Sequence, residues 1–160
     1  MITTIHPGSY TTVQDEGRWG YQAFGMPVAG VMDHYAARIA NLLAGNKPSA
    51  AVLEMTMKGG HFRFEQDSCV AVCGADMQAK LNGAPVQNWS SFMVPAGSEL
   101  TFDYAADGCR TYLAVTGGID VPVVLGSRSN STRGAVGGVE GRALKAGDML
   151  PVGTDNEYAA

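Results

Sequence analysis

Short runs of alternating apolar and polar residues make up most of this sequence, and turn-forming residues separate them. In each run the apolar residues fall on one side of a pleat, which predicts a β-strand. These apolar positions are Leu53/Met55/Met57, Phe62/Phe64, Cys69/Ala71/Cys73, Leu100/Phe102/Tyr104 and Tyr112/Ala114. Runs spaced at roughly ten residues are typical of antiparallel barrels and sandwiches, and they exclude an alternating βαβ architecture. We therefore predict a mainly β fold.

Turn-forming residues support this reading. Asn82-Gly83 lies between two short apolar runs and predicts a hairpin, because both central residues of such a turn need positive φ. The composition of four other segments also predicts turns. These segments are Pro95-Ala-Gly97, Asp107-Gly108, Gly117-Gly118 and Ala146-Gly-Asp148.

One helical pattern interrupts the strands near the start of the chain. It begins at Asp33, whose carboxylate can cap the first turn, and it ends at Gly45, which Pro48 follows. Its apolar residues recur at helical spacing, at Tyr35, Ala36, Ile39, Leu42 and Leu43. We predict a single early α-helix.

Length and composition indicate one globular domain. The 160 residues include 21 glycines, and only 16% of the residues are charged, against about 25% in an average protein. Many tight turns and a large uncharged surface follow. We predict one domain over residues 1–153 and a tail over 154–160 that loses the pattern and is a candidate for disorder.

The formal net charge is −4, and the basic residues form no cluster. Nucleic acids and anionic membranes both require a basic surface, so neither is expected as a partner. No apolar run reaches the roughly 18 residues of a membrane span, and the first residues lack the pattern of a secretory signal. We expect a cytoplasmic protein.

The three cysteines, Cys69, Cys73 and Cys109, have neither redox-pair nor zinc-ligand spacing. If Cys69 and Cys73 share a strand, their side chains lie on one face roughly 13 Å apart, which is too far for a disulfide. We predict buried thiols.

The first polar cluster follows Thr11 and includes Gln14, Asp15, Arg18 and Trp19. Arg18 could orient a polar ligand, because a guanidinium binds a carboxylate or phosphate with two parallel hydrogen bonds. The alternative, which we favour from the sequence alone, is a turn stabilised by its own Asp15/Arg18 pair.

A second set of polar residues surrounds the helix: Asp33 at its start, Asn41 on its flank, Asn46 after its end and Glu54 in the next strand. Glu54 shares a strand face with Val52, so it is either solvated or turned into a barrel lumen. In a lumen, desolvation would raise its pKa, as in many acid/base groups. The solvated position is slightly favoured.

The third candidate is the segment 126–142, which contains Ser127, Arg128, Arg133 and Arg142 among glycines and hydroxyl residues. Glycine lets main-chain N–H groups approach an anion, so this segment could bind a phosphate or carboxylate. It lacks the Gly-Lys-Ser/Thr of a P-loop. A mobile surface loop is an equally good interpretation.

Other chemistries find little support in the sequence. His6, His34 and His61 lack metal-ligand or triad spacing. Trp19 and Trp89 are expected to be core or interface anchors.

A series of short motifs in a fixed order covers about the first 150 residues. They include Thr11-Thr-Val-Gln14-Asp15, Gly17-Arg18, Met32-Asp33, Ala40-Asn41, Gly45-Asn46, Leu53-Glu54, Arg110-Thr-Tyr112, Gly117-Gly118 and Leu125-Gly126-Ser127-Arg128-Ser129. In these motifs the chain resembles the biotin-dependent carboxyltransferase / allophanate hydrolase subunit 2 family. The resemblance implies a cyclophilin-like antiparallel β-barrel with one early α-helix, in agreement with the strand pattern. Members of this family usually continue into a second half, so we expect this chain to correspond to the N-terminal half.

The resemblance also implies a function. The family includes one component of 5-oxoprolinase, the C-type component, which with subunits A and B opens the lactam of 5-oxo-L-proline to L-glutamate with ATP hydrolysis. ATP, with Mg, would belong to the assembled complex, and this chain alone would be inactive. Site candidates are Asp33 and Glu54 as acid/base or metal-contacting groups and, for substrate or phosphate, Arg18, Asn41, Asn46, Ser127, Arg128 and Arg133.

Two other functions within the family stay open. One is a carboxyltransferase of a urea carboxylase/allophanate system, in which biotin would come from elsewhere because no lysine here lies between two methionines. The other is a non-catalytic regulator that antagonises a kinase inhibitor by binding it.

Overall fold

The strands of the molecule pair into two antiparallel sheets. The computed structural model describes residues 1–154. The first sheet contains β1 (Ile2–His6), β4 (His61–Phe64), β6 (Lys80–Leu81), β7 (Ala84–Pro85), β9 (Glu99–Thr101) and β11 (Met149–Leu150). The second contains β2 (Tyr10–Gln14), β3 (Val52–Thr56), β5 (Ser68–Asp76), β8 (Ser90–Val94) and β10 (Asp107–Val115). Their orders are β11-β1-β4-β9-β6-β7 and β2-β3-β10-β5-β8. The predicted mainly β, antiparallel fold is confirmed.

The main core lies between the two sheets. Leu53 and Met55 of β3 and Leu113 of β10 face Phe62 and Phe64 of β4 in one buried cluster. Both sheets are open in the described residues, and the packing of their inner faces, rather than one continuous ladder of hydrogen bonds, joins them. Burial of such large apolar side chains stabilises the fold by about 1.5–3 kcal/mol each.

The single α-helix of residues 1–154, α1 (His34–Leu43), covers the other face of the second sheet. The Asp33 side chain accepts a hydrogen bond from the Ala36 N–H, as the sequence predicts for its cap. The contact with the sheet, however, uses small residues of the helix, which pack on Val52, Ala71, Cys73, Tyr112 and Ala114. These helix residues are Ala36, Ala37 and Ala40, followed by Ala44.

The larger apolar residues that marked α1 in the sequence lie mostly outside this contact. Tyr35, Leu42 and Leu43 are exposed, and Tyr35 instead pairs with Trp89, with ring centroids 6.0 Å apart. Alanines allow the helix to lie close to the sheet, which leaves the bulkier side chains on the outer face.

The predicted turns are mostly present. Asn82 and Gly83 both have positive φ, 49° and 85°, and join β6 to β7. Asp107-Gly108 is not a free turn, because it forms the start of β10, where the register to β5 shifts.

Two strands near the start of the chain were not predicted. β2 matters more for the site, because its residues have the composition of a polar loop. Thr11, Thr12 and Gln14 of β2 are nevertheless buried. The end of β2 lies against the segment 124–136, where Gln14 Nε2 donates to the Asn130 carbonyl and the Asn130 N–H donates to the Val13 carbonyl. This segment contains short bridges such as Ser131 to Val136.

Buried thiols were expected for the cysteines, and core or interface positions for the tryptophans. All three cysteines are free, with Cys73 buried and Cys69 and Cys109 half-buried. Trp19 and Trp89 are exposed, so neither is a core residue.

Two further expectations concern the C-terminal tail and membrane-spanning helices. Of the predicted tail 154–160, residues 155–160 lie outside the described part of the chain. Within residues 1–154 no helix has the length and apolar character needed to cross a membrane.

Candidate functional site

The carboxylate of Asp15 holds the segment 124–131 against the end of β2. Its Oδ1 accepts hydrogen bonds from the hydroxyls of Ser127 (2.6 Å) and Ser129 (2.7 Å) and from the Gly17 N–H (2.9 Å). Its Oδ2 accepts one from the Arg128 N–H at 2.8 Å. Four donors converge on one side chain, so the segment is bound along its length rather than loosely attached.

Arg18 completes this arrangement from inside. Its side chain is 0% exposed, and its Nε donates to the carbonyl of Val124 at 2.7 Å. Its Nη2 donates to the carbonyls of Ser127 (3.2 Å) and Ser129 (3.1 Å). Among the described residues it forms no ion pair with Asp15, so the predicted Asp15/Arg18 pair is wrong.

Gly137 belongs to the same packing. Its φ is 74°, and a Cβ there would lie 2.0 Å from the Ser129 carbonyl oxygen and 2.7 Å from Arg18 Nη2. The chain can pass this close to the guanidinium only without a side chain. Arg18 and Ser127, two predicted ligand contacts, are therefore buried in the internal structure at this point.

Glu54 is also buried, at 5% exposure, so the favoured solvated position is wrong. It lies between the second sheet and the start of α1, not in a lumen. Its Oε2 accepts hydrogen bonds from the Tyr112 hydroxyl (2.8 Å) and the Met32 N–H (2.9 Å). The Tyr112 oxygen in turn accepts from the Asp33 N–H at 2.8 Å. A negative charge at this end of the helix is favourable.

Tyr112 is buried beside the Glu54 carboxylate. Burial, and then the neighbouring charge of Glu54, raise the pKa of Tyr112 well above its ordinary value. The phenol therefore stays protonated and acts as a fixed hydrogen-bond donor to Glu54.

Asn41 and Asn46 connect the end of α1 to its surroundings. Asn41 Nδ2 donates to the carbonyls of Pro48 (3.1 Å) and Ala50 (2.9 Å). Asn46 Nδ2 donates to Val115 O (2.7 Å), and its Oδ1 accepts from the Gly117 N–H (2.9 Å). Since both amides are bonded to the protein itself, they position the chain around them.

A small cavity of about 270 Å³, the basic cavity, lies beside Asn46. Lys47 and Arg128 provide its cations and Asp120 its carboxylate, and glycines 117, 118 and 153 form part of its wall. Arg128 Nε donates to the Val121 carbonyl at 3.0 Å, and Nη2 lies 3.4 Å from Asp120 Oδ1. The excess of positive charge suits a small anion.

A larger cavity of about 560 Å³, the acidic cavity, lies at the start of α1. Its lining includes three carboxylates and one guanidinium, those of Asp33, Asp76, Asp107 and Arg110. Gly74 forms part of its wall with a φ of 123°, and a Cβ there would lie 2.6 Å from the Arg110 carbonyl oxygen. Glycine is needed where β5 and β10 approach at this point.

The structure thus separates the predicted site residues into several places. Asp33 lines the acidic cavity, while Asn46 and Arg128 line the basic cavity. Arg133 is exposed and lines a third cavity of about 470 Å³ beside Pro27. Arg18, Asn41, Glu54 and Ser127 lie inside the protein.

Sequence reasoning missed Lys47, Asp76, Asp107 and Arg110 as cavity residues. Arg110 could have been found from strand alternation, because it lies two positions from Tyr112 and so shares its face of β10. Asp76 and Asp107 are partners across β5 and β10, and that pairing is not readable from sequence spacing. Within residues 1–154, no three His, Cys, Asp or Glu side chains are grouped closely enough to hold a metal ion.

The family of the chain follows from comparison with known proteins. Residues 24–160 match the family model described as carboxyltransferase domain, subdomain A and B. The chain belongs to this carboxyltransferase domain family.

Relatives of this carboxyltransferase-domain chain include enzymes of two kinds. It is 46% identical to the C-type component of 5-oxoprolinase from Escherichia coli over 155 residues, which cover 96% of the chain and 49% of that protein. It is 43% identical to the urea amidolyase of Lachancea kluyveri over 145 residues, which cover 90% of the chain and 8% of that protein. The crystal structure of the K. lactis urea amidolyase superposes with a TM-score of 0.93 at 38% identity, covering 99% of this chain and 10% of that one. The chain therefore spans about half the length of the E. coli relative.

Proposed function

We propose that this chain supplies part of the C-type component of an ATP-dependent 5-oxoprolinase, which converts 5-oxo-L-proline to L-glutamate together with subunits A and B. The observation that supports this most is the 46% identity to the E. coli 5-oxoprolinase component over 96% of the chain. The chain matches about half of that relative, so the other half is needed as well. Alone, the chain is inactive, and the complex works in the cytoplasm.

Within this function the basic cavity holds an anionic group. The carboxylate of 5-oxo-L-proline and a transferred phosphoryl group are both small anions, and Lys47 with Arg128 favours them electrostatically. A lactam is a poor electrophile, so ATP is used to activate its oxygen before water attacks the ring carbonyl. The part of this chain is then to bind and orient.

Neither the basic cavity nor the acidic cavity fits ATP. The basic cavity, at about 270 Å³, is smaller than the roughly 300–1,000 Å³ of most small-molecule sites. The carboxylates of the acidic cavity would repel a triphosphate. We therefore propose that ATP and Mg bind to a partner protein of the complex and that biotin is not attached to this chain.

Reconstitution tests the function. The chain is combined with subunits A and B and with the other half of the E. coli relative, and ATP-dependent glutamate formation is measured. We expect Arg128→Ala to lower kcat/KM about tenfold or more, as loss of a charged hydrogen-bond donor does. The matched control is Arg63→Ala, because Arg63 forms only a surface ion pair with Glu65.

The possible results separate the two claims. Absence of glutamate formation by the wild-type complex would contradict the function. Unchanged kcat/KM in a folded Arg128→Ala complex would remove Arg128 from the site and leave the function in place.

The second candidate is the carboxyltransferase step of a urea carboxylase. The TM-score of 0.93 to the K. lactis urea amidolyase supports it. The same complex would then act on urea with carboxybiotin supplied by another domain, and 5-oxo-L-proline would leave ATP turnover unchanged.

A further inference from the structure

Within residues 1–154, Arg110 carries the one positive charge in the lining of the acidic cavity. Its Nε is buried and has no hydrogen-bond partner. No carboxylate oxygen of the described residues lies within 4.0 Å of its guanidinium, although three aspartates line the same cavity. This part of the protein thus leaves the cation without an ion pair. An unpaired guanidinium in a cavity is well suited to receive a carboxylate from a ligand.

The three aspartates restrict which carboxylate can enter. Asp33 Oδ1 accepts from the Ala36 N–H, and Asp76 Oδ1 accepts from the Gln78 N–H at 2.9 Å. Their other oxygens and the carboxylate of Asp107 form no hydrogen bond within residues 1–154, so they can receive donors. Three carboxylates outweigh one guanidinium, and a ligand that carries only negative charge is therefore repelled. In a ligand with an ammonium next to its carboxylate, the carboxylate can pair with Arg110 and the ammonium can donate to the aspartates.

The shape of the cavity agrees with a ligand of this kind. Its volume of about 560 Å³ lies within the roughly 300–1,000 Å³ of small-molecule sites. Met32, Ala75 and Trp89 add apolar surface to the lining, against which methylene groups of a short side chain can pack.

We propose that the acidic cavity binds an α-amino acid in its zwitterionic form. The ligand carboxylate pairs with Arg110, and its ammonium donates to the aspartates, foremost Asp107. The choice of L-glutamate as the amino acid rests on the proposed function, in which L-glutamate is the product. The acidic cavity is then a second site, which takes up released L-glutamate, and it shares no lining residue with the basic cavity proposed for the substrate carboxylate. The charge requirement itself rests only on the cavity.

Isothermal titration calorimetry on the 160-residue chain tests this with three probes. L-glutamate carries both groups, glutarate lacks only the ammonium, and 4-aminobutanoate lacks only the α-carboxylate. We expect L-glutamate to bind at least about tenfold more tightly than glutarate, because glutarate lacks the ammonium contact. 4-Aminobutanoate keeps both charges but holds them three methylenes apart, so we expect it to bind more weakly than L-glutamate, whose ammonium and carboxylate share one carbon. Arg110→Gln should weaken L-glutamate binding by a similar factor, and Asp107→Asn should narrow the difference between L-glutamate and glutarate.

Arg63→Gln provides the control, since Arg63 lies on the first sheet, and circular dichroism confirms that each variant is folded. Equal binding of L-glutamate and glutarate, tighter binding of urea than of L-glutamate, or undiminished binding to folded Arg110→Gln would each overturn the proposal. So would no binding of any probe by the folded chain. Charge-dependent L-glutamate binding together with no 5-oxoprolinase activity would instead support the cavity assignment and refute the proposed function.

Discussion

Arg18 is a charged residue whose role is internal. Its three hydrogen bonds to the carbonyls of Val124, Ser127 and Ser129 hold the segment 124–131 on its buried side. We expect Arg18→Gln to lower the free energy of unfolding by about 3 kcal/mol or more, because each buried carbonyl left without a donor costs about 1–3 kcal/mol. Urea denaturation measures this. Arg133→Gln is the control, since Arg133 is exposed and its replacement should stay within about 0.5 kcal/mol of the wild type. Equal midpoints for both variants would refute a structural role for Arg18.

The residue scale also shows where prediction of the site from sequence reached its limit. Residue type indicated candidate side chains for binding anions or moving protons, and two of these candidates, Arg128 and Asp33, line cavities. Whether each of these side chains is exposed or buried could not be deduced from its residue type. Arg18 and Glu54 are buried because chain segments far away in sequence, around residues 124–129 and 112, supply their hydrogen bonds. Hydrogen-bond partners so far away in sequence produce no recognisable pattern in the residues around Arg18 and Glu54.

At the scale of elements, α1 offers a test of how a helix is held on a sheet. Ala40 is 0% exposed and packs directly against the second sheet, whereas Leu42 is 54% exposed. We expect Ala40→Leu to lower the free energy of unfolding by about 1–3 kcal/mol, because the added methylenes have no room. Leu42→Ala, measured by the same thermal and urea denaturation, should cost less than about 1 kcal/mol. The reverse order would mean that the larger apolar residues hold the helix.

Elements with regular alternation were predictable, and β2 was not. In β3 and β4 the side chains that face the main core alternate with polar ones, so the period of two is visible in the sequence. β5 and β10 contain continuous apolar runs instead, because α1 covers their second face, and a short apolar run bounded by turns also predicts a strand. β2 buries threonines and Gln14 instead, and Gln14 satisfies its amide by bonding Asn130 O and accepting from the Gly30 N–H. A buried strand that relies on polar contacts looks like a loop in sequence.

At the scale of the whole molecule, the two ends of the described chain are paired with each other. In the first sheet Ile2 of β1 is opposite Leu150 of β11, and both side chains are buried in the main core. The short β11 therefore closes one edge of the core with a single large residue. The alternating pattern of the sequence could not show this, because β11 has only two residues and its partner is almost the whole chain away.

This closure predicts how the molecule unfolds. Leu150 is 0% exposed, and we expect Leu150→Ala to lower the free energy of unfolding by about 2–5 kcal/mol, since it removes transfer energy and leaves a cavity. Met149→Ala is the matched control in the same strand, because Met149 is 53% exposed and should cost less than about 1 kcal/mol. Tryptophan fluorescence and far-ultraviolet circular dichroism should give coincident urea midpoints for each protein, as one cooperative core requires. A Leu150→Ala variant as stable as Met149→Ala would show that the core closes without β11, and diverging midpoints would show that the ends open separately from the rest.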